Sequence, residues 1–171
     1  TRRAAVCRVP VRRVAVPPDS LFVTISQSGE TADTLAALRM AKSAGYTATL
    51  TLCNVATSSI VRESDLALML EAGPEIGVAS TKAFTAQLVD LMLLTILLAR
   101  RQGLSAEREA ELVSALHGLA GVVEETLLLD PFTAKLAERF MDRRHALFLG
   151  RGSLYSVALE GALKLKEISY I

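Results

Sequence analysis

The chain has 171 residues, 51% hydrophobic and 22% charged, a length and balance that suit one globular α/β protein with a substantial buried core. A formal net charge of +1 provides no electrostatic footprint for nucleic acid or a membrane surface. Cys7, Cys53, His117 and His145 all stand alone, which excludes a disulfide framework, a redox pair and zinc-ligand spacing, and leaves reduced thiols in the cytoplasm as the expectation.

Thr1–Val16 (TRRAAVCRVPVRRVAV) is arginine-rich without a period and is expected to be irregular or disordered, with a basic anchor for acidic partners as the alternative. No long apolar stretch follows this basic start, so no secretory leader is read there. Pro17-Pro18-Asp19 has turn chemistry. Leu21–Ile25 is apolar and β-branched, the composition of a strand buried on both faces. Leu35, Leu38, Ala41 and Lys42 then recur at helical spacing, so Thr31–Ala44 reads as an amphipathic helix closed by Gly45. Thr47–Cys53 reads as a second strand, Ser58–Glu63 as a short helix and Leu66–Leu70 as a third buried strand.

Between the first strand and helix lies Ser26-Gln27-Ser28-Gly29-Glu30-Thr31, five polar residues and one glycine. Tight turns at the carboxyl end of a parallel strand are where open α/β sheets bind ligands. Three hydroxyls, an amide side chain and the N–H groups of a helix start suit a phosphate. No lysine is present, so the turn is not a nucleotide P-loop. The competing reading is an empty turn in which Thr31, Glu30 and Asp33 do no more than cap the helix.

Glu71–Lys82 (EAGPEIGVASTK) reads as a loop, with Ser80 and Thr81 at the start of a helix to about Arg101. That helix contains the nine-residue apolar run Leu91–Ala99, too short to cross a bilayer and interrupted upstream by Asp90 and Lys82. It is expected to be buried against the sheet or a neighbouring subunit. Gly103 ends it, and Ser105 starts a helix to about Leu129 with Glu107, Glu109 and Glu111 near its positive end. Asp130-Pro131 starts another, to about Asp142. His145–Leu149 (HALFL) reads as a strand, Gly150–Ser153 as a tight turn and Tyr155–Tyr170 as a helix, repeating the plan of Leu21–Leu38.

On that last helix Glu160, Lys164 and Glu167 are spaced i, i+4, i+7 and fall within about 60° of one another. A solvated salt-bridge face is one reading. The strip is narrow, however, with Val157 and Ile168 on one side and Leu163 on the other, which suits a partly buried site. Pattern alone leaves the two readings even. Burial would raise a carboxylate's pKa and the lysine would lower it, as a general base requires.

The wording of these stretches carries more. SQSGETADT resembles the phosphate loop of the sugar isomerase (SIS) family. CNVATSSIVRESDLAL, AGPEIGVASTKAFTAQL and ALFLGRGSLYSVALEGALKLKEISYI resemble, in order, the isomerase half of the glucosamine-6-phosphate synthases. The likeness runs from about Val14 to Ile171. It implies a SIS-type doubly wound parallel α/β sheet of flavodoxin-like kind with flanking helices, incomplete at both ends. Residues 1–16 would be an irregular start, 17–101 most of a first SIS unit, 102–143 linking helices and 144–171 the start of a second.

The resemblance also implies residue roles. Glu167 would be the base that shuttles a proton between the sugar's first two carbons, with Glu160 and Lys164 at the edge of the same site. Ser26, Gln27, Ser28 and Thr31 would hold the sugar phosphate, and Val78 and Ser80 would touch the sugar through backbone and side chain; Glu30 is read as structural. The implied activity converts fructose 6-phosphate to glucosamine 6-phosphate, for amino-sugar synthesis, with ammonia released from glutamine by a glutaminase domain. No cofactor or metal is called for, and a homodimer without nucleic acid or membrane is expected. The family's preceding strand and serine loop would lie before Thr1, and its ring-opening histidine, imine-forming lysine and C-terminal tail beyond Ile171. A non-catalytic sugar-phosphate regulator or an arabinose-5-phosphate-type isomerase are the alternatives; the Glu160/Lys164/Glu167 stripe and the GVASTKAF turn favour the synthase.

Overall fold

A computed structural model of the chain describes residues 15–169. The Arg-rich start therefore lies outside the described residues except for Ala15 and Val16, and Tyr170 and Ile171 lie outside at the other end. Pro18-Asp19 forms the expected turn, closed by the Ser20 hydroxyl donating to the Pro17 carbonyl at 2.7 Å.

Three parallel strands, β1 (Leu21–Ser26), β2 (Ala48–Cys53) and β3 (Leu66–Met69), lie in the order β1-β2-β3, one unidirectional run of a parallel α/β sheet. Register pairs Ser26 with Cys53 and Leu50 with Leu66. The crossovers are α1 (Ala32–Ser43) and α2 (Ser59–Glu63). Between them they contribute Leu35, Leu38 and Ile60, which cluster with Cys53 of β2 and are joined by Phe22 of β1. Arg39 of α1 clamps Glu63 of α2 through two hydrogen bonds of 2.8 and 2.6 Å.

The middle strand is buried along Thr49–Cys53, but its neighbours are not. On β1, Leu21, Val23 and Ile25 remain 42%, 38% and 43% exposed while Thr24 and Ser26 are buried. This corrects the expectation of a strand buried on both faces. The cluster covers the Phe22 face alone, and parallel strands need both faces covered before a continuous apolar run disappears from water. β3 is corrected likewise, because it is an edge strand with Leu66 and Leu68 exposed.

The chain divides into two compact units. One holds the described residues to Glu75 and Ser80–Met92; the other holds Ile76–Ala79 and the residues from Leu93 onward. Helix α3 (Lys82–Arg100) begins in the first and ends in the second. Its apolar run is not buried within the chain, the first of the two expected covers: Leu93, Leu97 and Leu98 are about half exposed, and only Ala83 and Ile96 of the helix are buried. The helix begins at Lys82 and runs through Asp90 without a break, so that by its 19-residue length and its composition it is long and apolar enough to cross a membrane.

In the second unit, α4 (Ala106–Leu127) is capped as expected by Ser105, whose hydroxyl accepts from the Arg108 N–H at 3.2 Å. Helix α5 (Asp130–Glu138) stops short of Asp142, because the Arg139 and Phe140 N–H groups bond three residues back and tighten the chain into turns. His145–Leu149 is extended but is not a strand; no neighbour among the described residues supplies a ladder, and Leu147 and Leu149 stay more than four-fifths exposed. The helix beyond it, α6 (Ser153–Ser169), starts two residues earlier than expected.

Candidate functional site

The turn after β1 is built by its own side chains. Ser26 is buried, and its hydroxyl accepts from the Gly29 N–H at 2.9 Å, pulling the chain into a hook. The Ser28 hydroxyl accepts from the Glu30 N–H at 3.3 Å. The Gln27 carbonyl accepts from the Asn54 N–H at 3.3 Å, tying the hook to the end of β2. Gly29 has φ +69° and packs so closely that a Cβ there would sit 2.8 Å from the Cys53 sulfur and inside the Ser58 side chain. Only glycine satisfies both conditions.

Thr31 is the N-cap of α1, yet its side chain makes no capping hydrogen bond. Glu30 does not cap α1 either; its carboxylate accepts from the Ser59 N–H of α2 at 2.7 Å. That hydrogen bond, assisted by the Ser59 hydroxyl, holds the Glu30 carboxyl below the usual range. The Thr31 and Glu30 side chains are therefore not spent on capping α1. Thr31 is exposed, Gln27 and Ser28 are half-buried, and the first N–H groups of a helix have no partner within it.

Two side chains invisible as site-builders in the sequence shape the same edge of the sheet. Asn54, just past β2, donates to the Gly73 carbonyl at 2.7 Å and accepts from the Ala72 N–H at 2.9 Å. It grips a loop in which Glu71 takes the left-handed φ of 48°. Glu75 accepts from the N–H groups of Thr81 and Ala83 at 3.1 and 2.9 Å, capping α3 from outside the helix. Ser80, half-buried, lies just before that helix; Val78 is 97% exposed and belongs to the other unit.

On α6 the spacing brings Glu160, Lys164 and Glu167 together. The Lys164 ammonium donates to Glu167 at 2.7 Å and stands 3.4 Å from Glu160. The hydrogen bond that Lys164 donates to Glu167 raises the Lys164 pKa, against a smaller opposing effect of burial and with the Glu160 charge adding to the rise. Glu160 and Lys164 are half-buried, whereas Glu167 is exposed, as are Val157, Leu163 and Ile168 beside the stripe. Only the Glu160–Lys164 part of the stripe is sheltered. Among the described residues no group of three His, Cys, Asp or Glu could hold a metal ion.

The fold and these sites define a class. Residues 14–97 match the SIS domain, and over that span the chain belongs to the SIS domain family. The relatives narrow the likeness. The chain is 62% identical over 154 residues to the isomerising glutamine–fructose-6-phosphate aminotransferase of Shewanella oneidensis, with 90% of the chain aligned. It is 63% identical over 161 residues to the Pseudomonas putida protein of the same name, with 94% aligned. It spans about a quarter of each relative's length, 25% and 26%. Among solved structures, the C-terminal domain of the glucosamine-fructose-6-phosphate aminotransferase from Francisella tularensis superposes with a TM-score of 0.89 at 51% identity, over 94% of this chain and 46% of that one.

Proposed function

We propose that this chain is the sugar-phosphate-binding part of an isomerising glutamine–fructose-6-phosphate aminotransferase. The observation that carries the reading is the turn Ser26–Thr31, which leaves the Thr31 hydroxyl uncommitted at the start of α1 and turns its one acidic side chain away to Ser59. Such a turn offers hydroxyls and backbone donors to a dianion in the positive end of a helix dipole. Ser28, Thr31 and Gln27 would hold the phosphate, with Ser26 shaping the hook beneath them. Ser80 and the Val78 backbone would touch the sugar.

In this reading Glu167 removes a proton from one of the sugar's first two carbons and returns it to the other, which turns a ketose into an aldose. Lys164 orients that carboxylate by its hydrogen bond, and Glu160 holds the lysine from the other side. The ammonia would come from a glutaminase domain acting on glutamine, and the product would be glucosamine 6-phosphate. A cytoplasmic homodimer that uses neither nucleic acid nor membrane completes the proposal; the exposed apolar face of α3 supports a partner surface there.

Isothermal titration of the chain with fructose 6-phosphate and with unphosphorylated fructose tests the binding part. Saturable binding of the first and none of the second is expected. Equal binding of both would refute the phosphate assignment.

A further inference from the structure

The phosphate turn and the short helix α2 share their hydrogen bonds. The N-cap of α2, Ser58, makes no side-chain cap bond of its own. Its first-turn donors are taken by the turn instead: Ser59 N–H by the Glu30 carboxylate at 2.7 Å and Ile60 N–H by the Gly29 carbonyl at 3.1 Å. Gly29 also lies against Ser58 and Cys53 with no room for a Cβ. Two consecutive residues of the turn thus grip two consecutive residues of α2, 29 to 31 positions along the chain.

We propose that Glu30 is a positioning residue for sugar-phosphate binding: its carboxylate, latched on the Ser59 N–H, holds the turn in its receptive shape and keeps its own charge off the ligand. The inference rests on the phosphate reading above. A free carboxylate next to Ser28 and Thr31 would repel a phosphate dianion, so the latch both orders the turn and disposes of a like charge. The lowered pKa of Glu30 is consistent with a carboxylate held by donors at neutral pH.

Ser59→Pro breaks the latch from the far side without touching the turn. Proline suits the first position of a helix and lacks only the N–H, and the preceding Ser58 already has the extended ψ of 159° that proline prefers. Ser59→Ala is the reference, because it loses the hydroxyl and keeps the N–H. Calorimetric titration of the chain with fructose 6-phosphate should give Ser59→Pro an affinity about tenfold below Ser59→Ala, the size of one hydrogen bond to a charged group. Equal affinities overturn the proposal, as does a lower melting temperature with equal affinity where both are folded.

A second pair reads the latch from the turn if Ser59→Pro fails to fold. Glu30→Gln keeps an acceptor for Ser59, whereas Glu30→Ala keeps none. The latch predicts weaker binding for Glu30→Ala than for Glu30→Gln; a pure charge effect predicts equal tightening of both and overturns it. Ser28→Ala accompanies the series. If it binds like the unmodified chain, or if the unmodified chain does not bind, the phosphate reading itself fails and the latch with it. Weakening in Ser28→Ala with no difference within either pair defeats the latch alone.

Discussion

Lys164, half-buried on α6, donates a 2.7 Å hydrogen bond to the exposed carboxylate of Glu167 one helical turn further on. The ammonium fixes the carboxylate's direction. The proposed proton shuttle needs that, because its carboxylate must be aimed at one carbon.

Glu167→Gln keeps the size and an acceptor for Lys164 but removes the base. In the full-length protein that contains this chain, exchange of the first-carbon proton of fructose 6-phosphate with solvent should fall about 10²–10⁴-fold. Affinity for the sugar phosphate should hold, since the phosphate is assigned to the turn after β1. Exchange at the normal rate would make the stripe a salt-bridged helix face and nothing more.

Ser28→Ala and Thr31→Ala should each weaken fructose 6-phosphate binding by about 1–3 kcal/mol, the range for hydrogen bonds to a charged group. Calorimetry against inorganic phosphate provides the control, because both ligands should lose affinity in parallel. A loss confined to the sugar phosphate would move these hydroxyls from the phosphate to the sugar.

Stability should depend on pH through two groups of opposite sign. Lys164 has a raised pKa, so its contribution is complete below the ordinary lysine value of about 10.4 and is lost as pH rises through the folded value. Asp65 accepts from the Thr49 hydroxyl and N–H, both at 2.8 Å, and these bonds lower its pKa. Its contribution is present above the ordinary aspartate value of about 3.9 and is lost as pH falls through the folded one. Melting curves should show Lys164→Met flattening the alkaline limb and Asp65→Asn the acid limb. Unchanged limbs would remove these groups from the pH dependence.

Leu38 is completely buried between α1 and the sheet cluster, so Leu38→Ala should cost about 2–5 kcal/mol. Gly29→Ala should cost about 1–3 kcal/mol through its positive φ and overlap with Ser58 and Cys53. Denaturant unfolding measures both, and a loss under 0.5 kcal/mol, the scale of surface substitutions at roughly ±0.5, would contradict the packing described.

What the sequence determined by itself was local. Hydrophobic spacing placed α1 and the strand–turn–helix order around Ser26–Thr31, and helix geometry alone put Glu160, Lys164 and Glu167 on one stripe whatever they pack against. The wording of the same stretches pointed to the family that residues 14–97 belong to. Tertiary structure decided which donors those residues meet. Glu30 sits where a helix-capping acid would, yet it bonds Ser59, and Asn54 and Glu75, plain loop residues in sequence, shape the loops beyond β2 and β3. It also decided burial: Leu21–Ile25 and Leu91–Ala99 are apolar enough for a core, but exposure depends on what lies over a face. His145–Leu149 has strand composition and no strand, because a ladder needs a neighbour. Side chains within a helical turn meet by spacing alone, whereas partners tens of residues apart meet only after the crossovers have folded back on the sheet.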